Sequence, residues 1–350
     1  MKLLGRNILN LYFCKRNIYS IIIGIFLDNF SLLDTVIEKS GVNLLFFDEV
    51  QAATGWELFV RQKLDQHYRI VITGSNASLL SRELGTKLTG RQITKELFPF
   101  SFNEFISFKE KKPSADSFME YLQTGGFPEY VKAGNLDILS ALIDDILYRD
   151  IVVRYGIKDA SSIKRLLSYL FFNASHLTTP SKLLGITGVK SPSTVLDYFS
   201  YFEASYVVQL LHKFSFSIKS QMLAPKKIYI CDTGLIKAGT ILLTENFGYL
   251  LENIIFSHLR RRTKGLFYYN ENNRECDFVE MEKGKANNLI QVCWDLNENN
   301  EEREISGLVD ALHFFKLSKG YVITFDQKDT IHHEGFVIEV IPAYDFLSLE

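Results

Sequence analysis

Asn43-Leu44-Leu45-Phe46-Phe47-Asp48-Glu49 is the stretch on which the reading of this chain turns. A short apolar run closes in two adjacent acids. Such runs, bounded by polar residues, read as strands buried on both faces. Arg69-Ile70-Val71-Ile72-Thr73-Gly74 is a second run of this kind. Between the two, Trp56, Phe59, Val60 and Leu64 recur at helical spacing. The order strand, helix, strand predicts a parallel sheet that binds ligands at the carboxyl ends of its strands. Paired acids at such an end suit phosphoryl chemistry. The first holds Mg²⁺ through water and the second polarises the attacking water. A strand that merely ends at the surface gives the same Asp-Glu pattern, so the neighbouring motifs carry the argument.

The second run ends in Thr73-Gly74-Ser75-Asn76, where a small polar residue could sit beside the acids and orient a water or a γ-phosphate. Leu88-Thr89-Gly90-Arg91 then puts an arginine after a helix, where it suits phosphate sensing. With Phe47-Asp48-Glu49-Val50-Gln51 and Gly55-Trp56-Glu57, these motifs resemble a family of prokaryotic AAA-type ATPases. Phe98-Pro99-Phe100-Ser101-Phe102-Asn103-Glu104-Phe105 and Gly125-Gly126-Phe127-Pro128 are similar to that family too. The resemblance runs from about residue 40 to the end. Its members carry a C-terminal domain of unknown function with a restriction-endonuclease-like core. It implies ATP and Mg²⁺ as cofactors. Asp48 and Glu49 become the catalytic Walker B acids, and Asp48 binds the metal-nucleotide together with Ser75. Asn76 becomes the sensor and Arg91 a nucleotide-responsive arginine, which would act across a subunit interface on self-association.

One family feature is missing. A P-loop needs G-x-x-x-x-G-K-[ST], whose amides and Lys cradle the phosphates. Residues 1–40 hold only Gly5 and Gly24, neither followed by Lys-Ser or Lys-Thr. The one Gly-Lys pair, Gly284-Lys285, precedes Ala. The expectation is an ATPase-like sheet incomplete at its N-terminus, and a chain that does not hydrolyse ATP.

Composition adds exclusions. The 350 residues are 47% hydrophobic and 23% charged, which excludes global disorder. A net charge of −2 excludes binding nucleic acid by bulk charge, though not by a local basic face. Cys14, Cys231, Cys276 and Cys293 lack zinc spacing and read as buried thiols of a cytoplasmic protein. Ile18 to Leu27 is too short for a membrane span and reads as a buried strand, with a membrane anchor or cryptic signal as the competing reading.

The expected architecture is α/β throughout. An ATPase core over 1–100, truncated at its N-terminus, leads into a helical lid over 101–157. A winged helix follows over 158–235, with Thr179-Pro180-Ser181 and Ser191-Pro192-Ser193 opening its second and third helices. A nuclease-like α/β domain occupies 245–350. Lys190, Lys213, Lys219, Lys226 and Lys227 are candidates to face DNA phosphates, while the acids Asp197 and Glu203 argue against major-groove reading. Arg260-Arg261-Arg262 reads as a solvated helix end or as a phosphate contact.

Glu252, Asp277 and Gln291 stand in the order of a metal-dependent nuclease, acid, acid, E-x-K, and are its candidate metal ligands. Gln291 has lost the charge, and Cys293 stands where the Lys belongs. The expectation is a degenerate nuclease site. Cleavage assisted by a displaced lysine such as Lys283 or Lys285 is the active alternative. Unrelated surface acids are the bland one. The partners that follow are DNA or another protein, and no membrane.

Overall fold

A computed structural model describes residues 10–13, 20–24, 30–50, 53–74, 93–240, 247–272 and 274–349. The chain divides into two compact units, one up to Glu96 and one from Leu97 to Glu350 apart from Ala204–Tyr206.

The first unit holds a four-stranded sheet in the order β1 (Asn10–Phe13), β2 (Ser20–Gly24), β3 (Leu44–Asp48), β4 (Arg69–Ile72). β2, β3 and β4 are mutually parallel. Helices α1 (Phe30–Ser40) and α2 (Trp56–Asp65) make the crossovers that parallel pairing demands. β1 departs from the expected parallel sheet and pairs antiparallel with β2. Only six residues separate these two strands, which is too short for a crossover. β2 falls within the apolar stretch Ile18 to Leu27 and hydrogen-bonds to a strand on each side. No helix among the described residues is long and apolar enough to cross a membrane. Leu45 and Phe47 of β3 meet Leu33 and Ile37 of α1 and Trp56, Phe59 and Val60 of α2 in one core.

The second unit is built on a nine-stranded sheet. It starts with α3 (Phe102–Phe108), α4 (Ala115–Thr124), α5 (Pro128–Ala133) and α6 (Asp137–Asp145), which continues as a π-helical stretch, Ile146–Val153. These are the helices expected as a lid. Phe102, Phe105, Phe118 and Tyr121 lie in the same apolar cluster as Leu251, Ile255, Tyr268 and Phe278 much later in the chain. Ser101 and Glu104 form a reciprocal capping box at the start of α3. Arg261 donates to the Pro99 carbonyl and lies 5.0 Å from the centre of the Phe98 ring. The triple arginine therefore packs partly inward and holds the Phe98-Pro99 segment.

Gly125-Gly126 has a structural explanation. Gly125 ends α4 at φ +76°, and a Cβ there would stand 2.0 Å from Asp232. A Cβ on Gly126 would stand 2.2 Å from the Phe100 carbonyl oxygen. The Gly126 and Gly234 amides both donate to the buried Asp232 carboxylate, at 2.6 and 2.8 Å. Only residues without side chains let these segments approach so closely.

Helices α7 (Ala160–Phe172), α8 (Pro180–Thr187) and α9 (Pro192–Ala204) follow, with the short β5 (Leu177–Thr178) between the first two. Pro opens α8 and α9 as the sequence requires. β6 (Val208–Lys213) and β7 (Lys226–Ile230) form an antiparallel hairpin, with α10 (Ile218–Leu223) between them, and β5 pairs with β7. After α11 (Thr233–Gly239) comes α12 (Phe247–Arg262), then β8 (Leu266–Glu271), β9 (Arg274–Glu282), β10 (Lys285–Val292), α13 (Glu301–Phe315) and β11 (Lys319–Thr324). β12 (Asp329–His333), β13 (Phe336–Pro342) and α14 (Ala343–Ser348) complete the chain.

Gly284-Lys285 belongs to the β9–β10 hairpin. Lys283 and Gly284 both have positive φ, as a tight hairpin turn requires. The strand order is β12-β13-β11-β10-β9-β8-β6-β7-β5. The join is β6 against β8, a parallel pairing that makes one sheet of the hairpin and the C-terminal strands.

Candidate functional site

At the end of β3, Asp48 accepts a hydrogen bond from the Thr73 hydroxyl, whose oxygen in turn accepts from the Glu49 amide at 3.3 Å. The Thr73 amide donates to the Phe47 carbonyl at 2.9 Å, so neighbouring strand ends fix the arrangement. Glu49 has φ +49°, a left-handed backbone that a non-glycine residue rarely adopts, directly after the strand. Both acids are exposed. Ser75, Asn76 and Arg91 lie outside the described residues. Within the motif Thr73-Gly74-Ser75-Asn76, Thr73 is the small polar residue seen beside the acids, linking the Asp48 carboxylate to the Glu49 backbone amide.

The second site is a cavity of about 740 Å³ in the second unit. Its floor is a buried ion cluster. Lys227 of β7 donates to Asp277 at 2.6 Å and to Glu252 at 3.0 Å, and its ammonium lies 2.7 Å from Glu275. Glu252 comes from α12, and Glu275 and Asp277 come from β9. The Tyr229 hydroxyl donates to the same Glu252 oxygen at 2.6 Å. The second Asp277 oxygen accepts the Val292 amide at 2.9 Å. Gln291 lies alongside. Its carbonyl accepts the Asp277 amide at 3.2 Å, and its amide donates to Glu304 at 2.7 Å. Arg303 pairs with Glu304, and Tyr249, Cys293 and Trp294 complete the wall.

Two local features hold the lysine in place. Asn253 is fully buried and both donates to and accepts from the Ile230 backbone, at 2.8 Å each, pinning β7 to α12. Tyr229 stacks on Phe256, ring centres 3.9 Å apart. Lys226, the preceding residue, turns the other way and donates to the Gln221, Met222 and Ala224 carbonyls near the end of α10.

Burial sets the electrostatics. Desolvation pushes the Glu252 carboxyl up to about 8, against the pull of Lys227, and the Asp277 charge adds to the rise. Asp277 is raised chiefly by desolvation, which outweighs Lys227. Burial penalises the Lys227 ammonium, yet Asp277 and then Glu252 hold it well above an ordinary lysine. Burial also lifts the Cys293 thiol to about 11, with Glu304 adding to it.

The structure thus brings Glu252, Asp277 and Gln291 to one cavity. It adds three residues that spacing did not reveal, namely Lys227, Glu275 and Glu304. Among the described residues, no group of three or more His, Cys, Asp and Glu side chains is arranged to hold a metal ion. Lys226 and Lys227 do not face a DNA backbone as expected, because both ammonium groups are committed inside the fold. Lys213 pairs with Glu271 at 2.9 Å, whereas Lys190 and Lys219 are exposed.

Comparison with known proteins supplies the family. Residues 7–106 match an AAA domain. Residues 115–244 match one domain of unknown function (DUF8612), and residues 247–346 match another (DUF4143). An uncharacterized protein of Methanocaldococcus jannaschii is 34% identical over 353 residues, which span 92% of this chain and 79% of that protein. The chain belongs to this family of prokaryotic AAA-domain proteins. An uncharacterized protein of Haemophilus influenzae is 31% identical over 314 residues, 86% of this chain and 76% of its own.

Within the AAA-domain family's division of the chain, Asp48, Glu49 and Thr73 lie in the AAA match. The ion cluster draws on both later domains. Lys227 belongs to the first of them, and Glu252, Glu275, Asp277, Gln291 and Glu304 to the second.

Proposed function

We propose that this polypeptide is a binding protein of AAA ATPase descent, which neither turns over ATP by itself nor cleaves nucleic acid, and which acts on DNA or on a protein partner. The observation that carries the ATP part is that a Walker B-type acid pair, bridged by Thr73, stands in a chain whose sequence contains no G-x-x-x-x-G-K-[ST]. The acids offer the Mg²⁺ half of a nucleotide site. Asp48, with Ser75, Asn76 and Arg91, is the set that would meet a nucleotide whose phosphates were held by other groups. The test is ATP hydrolysis by the purified chain. A rate at background supports the reading, and a rate well above it that Glu49→Gln abolishes overturns it.

Two topologies support the rest. The order α7, β5, α8, α9, β6, β7, with β5 paired to β7, supports the winged-helix reading. Val195, Tyr198, Phe199 and Phe202 of α9 are buried, so this helix commits its aromatic residues to the core. A protein partner suits it better than the major groove. The order α12, β8, β9, β10, α13, β11, with β9 antiparallel and β11 parallel to β10, supports a restriction-endonuclease-like core.

The convergence of Glu252, Asp277 and Gln291 favours one second reading, a metal-dependent nuclease with a degenerate site. Plasmid cleavage with Mg²⁺ or Mn²⁺ that Asp277→Ala abolishes would establish it. No cleavage is the expected result.

A further inference from the structure

In the nuclease-like reading, Glu252, Asp277 and Gln291 would hold a divalent cation. The arrangement does not fit one. Mg²⁺ asks for near-octahedral oxygen ligation at about 2.0–2.1 Å, and Ca²⁺ for six to eight oxygens. Here most of the oxygens are already engaged within the fold. Glu252 and Asp277 each give an oxygen to Lys227, at 3.0 and 2.6 Å. The same Glu252 oxygen accepts a hydrogen bond from the Tyr229 hydroxyl, and the other Asp277 oxygen accepts one from the Val292 amide. The carbonyl oxygen of Gln291 accepts from the Asp277 amide. Glu275 lies 2.7 Å from the lysine ammonium.

We propose that Lys227 is the resident cation of this cavity: its ammonium occupies the place among Glu252, Glu275 and Asp277 that a divalent metal ion would take, which makes the pocket metal-independent.

An ammonium carries three donors, and three carboxylates surround this one. Its position is built in, because the Lys227 side chain is 4% exposed, whereas that of Arg303, on the same cavity, is 79% exposed. Its Cα is fixed as well, because the Asn253 clamp and the β5 and β6 pairings hold β7 in place. The inference rests on the nuclease-like reading for its comparison with a metal. Its test reads metal binding alone, so its outcome stands apart from any result on DNA cleavage or ATP turnover.

The experiment is Mn²⁺ titration of the full chain, without nucleotide, followed by electron paramagnetic resonance. Binding is assigned to the cavity by its sensitivity to Asp277→Asn. The wild-type chain is expected to show no site that Asp277→Asn removes, up to millimolar Mn²⁺. Lys227→Met is expected to gain a site at least tenfold tighter than any in the wild type, lost when Asp277→Asn is added. Lys227→Met/Glu275→Gln, with one acid fewer to repel its neighbours, serves if the single variant does not fold. Asp277-dependent Mn²⁺ binding by the wild type would overturn the proposal and make Lys227 the displaced lysine of a metal site. A folded lysine variant that gains no Mn²⁺ would overturn it equally. If neither variant folds, the wild-type titration decides.

Discussion

The two acid clusters of this molecule follow opposite physical rules. Asp48 and Glu49 are consecutive in sequence, exposed, and tied to a neighbouring strand by one hydroxyl. Water solvates them, and the fold asks little of them. Glu252, Glu275 and Asp277 come from two elements, line a buried floor, and depend on one lysine from a third. Removing them from water is costly, and the ammonium offsets that cost only with all partners present. An exposed acid pair therefore costs the fold little, while a largely buried trio is first of all a structural joint.

Mutation tests this contrast most severely at Lys227. Lys227→Ala leaves the buried Glu252 and Asp277, and the partly exposed Glu275, without their cation and is expected to cost about 3–5 kcal/mol in urea unfolding. Asn253→Ala orphans the Ile230 amide and carbonyl and is expected to cost about 1–3 kcal/mol, measured the same way. A smaller effect separates the clusters by pH. Glu252 keeps its proton to about 8 when folded, against an ordinary value of 4.5. Its contribution is full below the ordinary carboxylate range and is lost as pH rises through about 8. Asp232, raised by burial to about 7, acts with the same sign. The melting temperature is expected to fall by about 2–4 °C from mildly acidic to mildly alkaline buffer, and Glu252→Gln to flatten that slope. Asp48→Asn should change stability by no more than about 0.5 kcal/mol, the usual range for an exposed substitution. A loss comparable to that at Lys227 would erase the distinction.

What was legible in the sequence follows the range of the interactions. Pro180 and Pro192 mark helix starts because capping is local, and the structure begins α8 and α9 at those residues. The run ending in Asp48-Glu49 marks β3 because an apolar run is local too. The ion cluster is different. Lys227 is 25 positions from Glu252 and 50 from Asp277, and no spacing rule connects them. Their meeting depends on β6 lying parallel to β8, which no single segment specifies. A faint signal did exist. Lys226-Lys227 opens a strand that is otherwise Ile-Tyr-Ile, and lysines in so apolar a strand need internal partners. Gly125-Gly126 was legible as a break but not as the close approach to Asp232 and Phe100 that explains it.

The pairing of β6 with β8 has a mechanical consequence. The two domains of unknown function meet between residues 244 and 247, so on paper they are separable modules. Strand hydrogen bonds and a shared lysine cross that border. Expressed alone, the later domain would present a bare β8 edge and an acidic floor with no lysine, and the earlier one a lysine with no acids. Neither half carries the full set of strand and ion-pair contacts that it makes in the whole chain. The smallest inheritable piece and the smallest stable piece of this protein are not the same, and a swap between relatives at that border would have to carry Lys227 and its acids together.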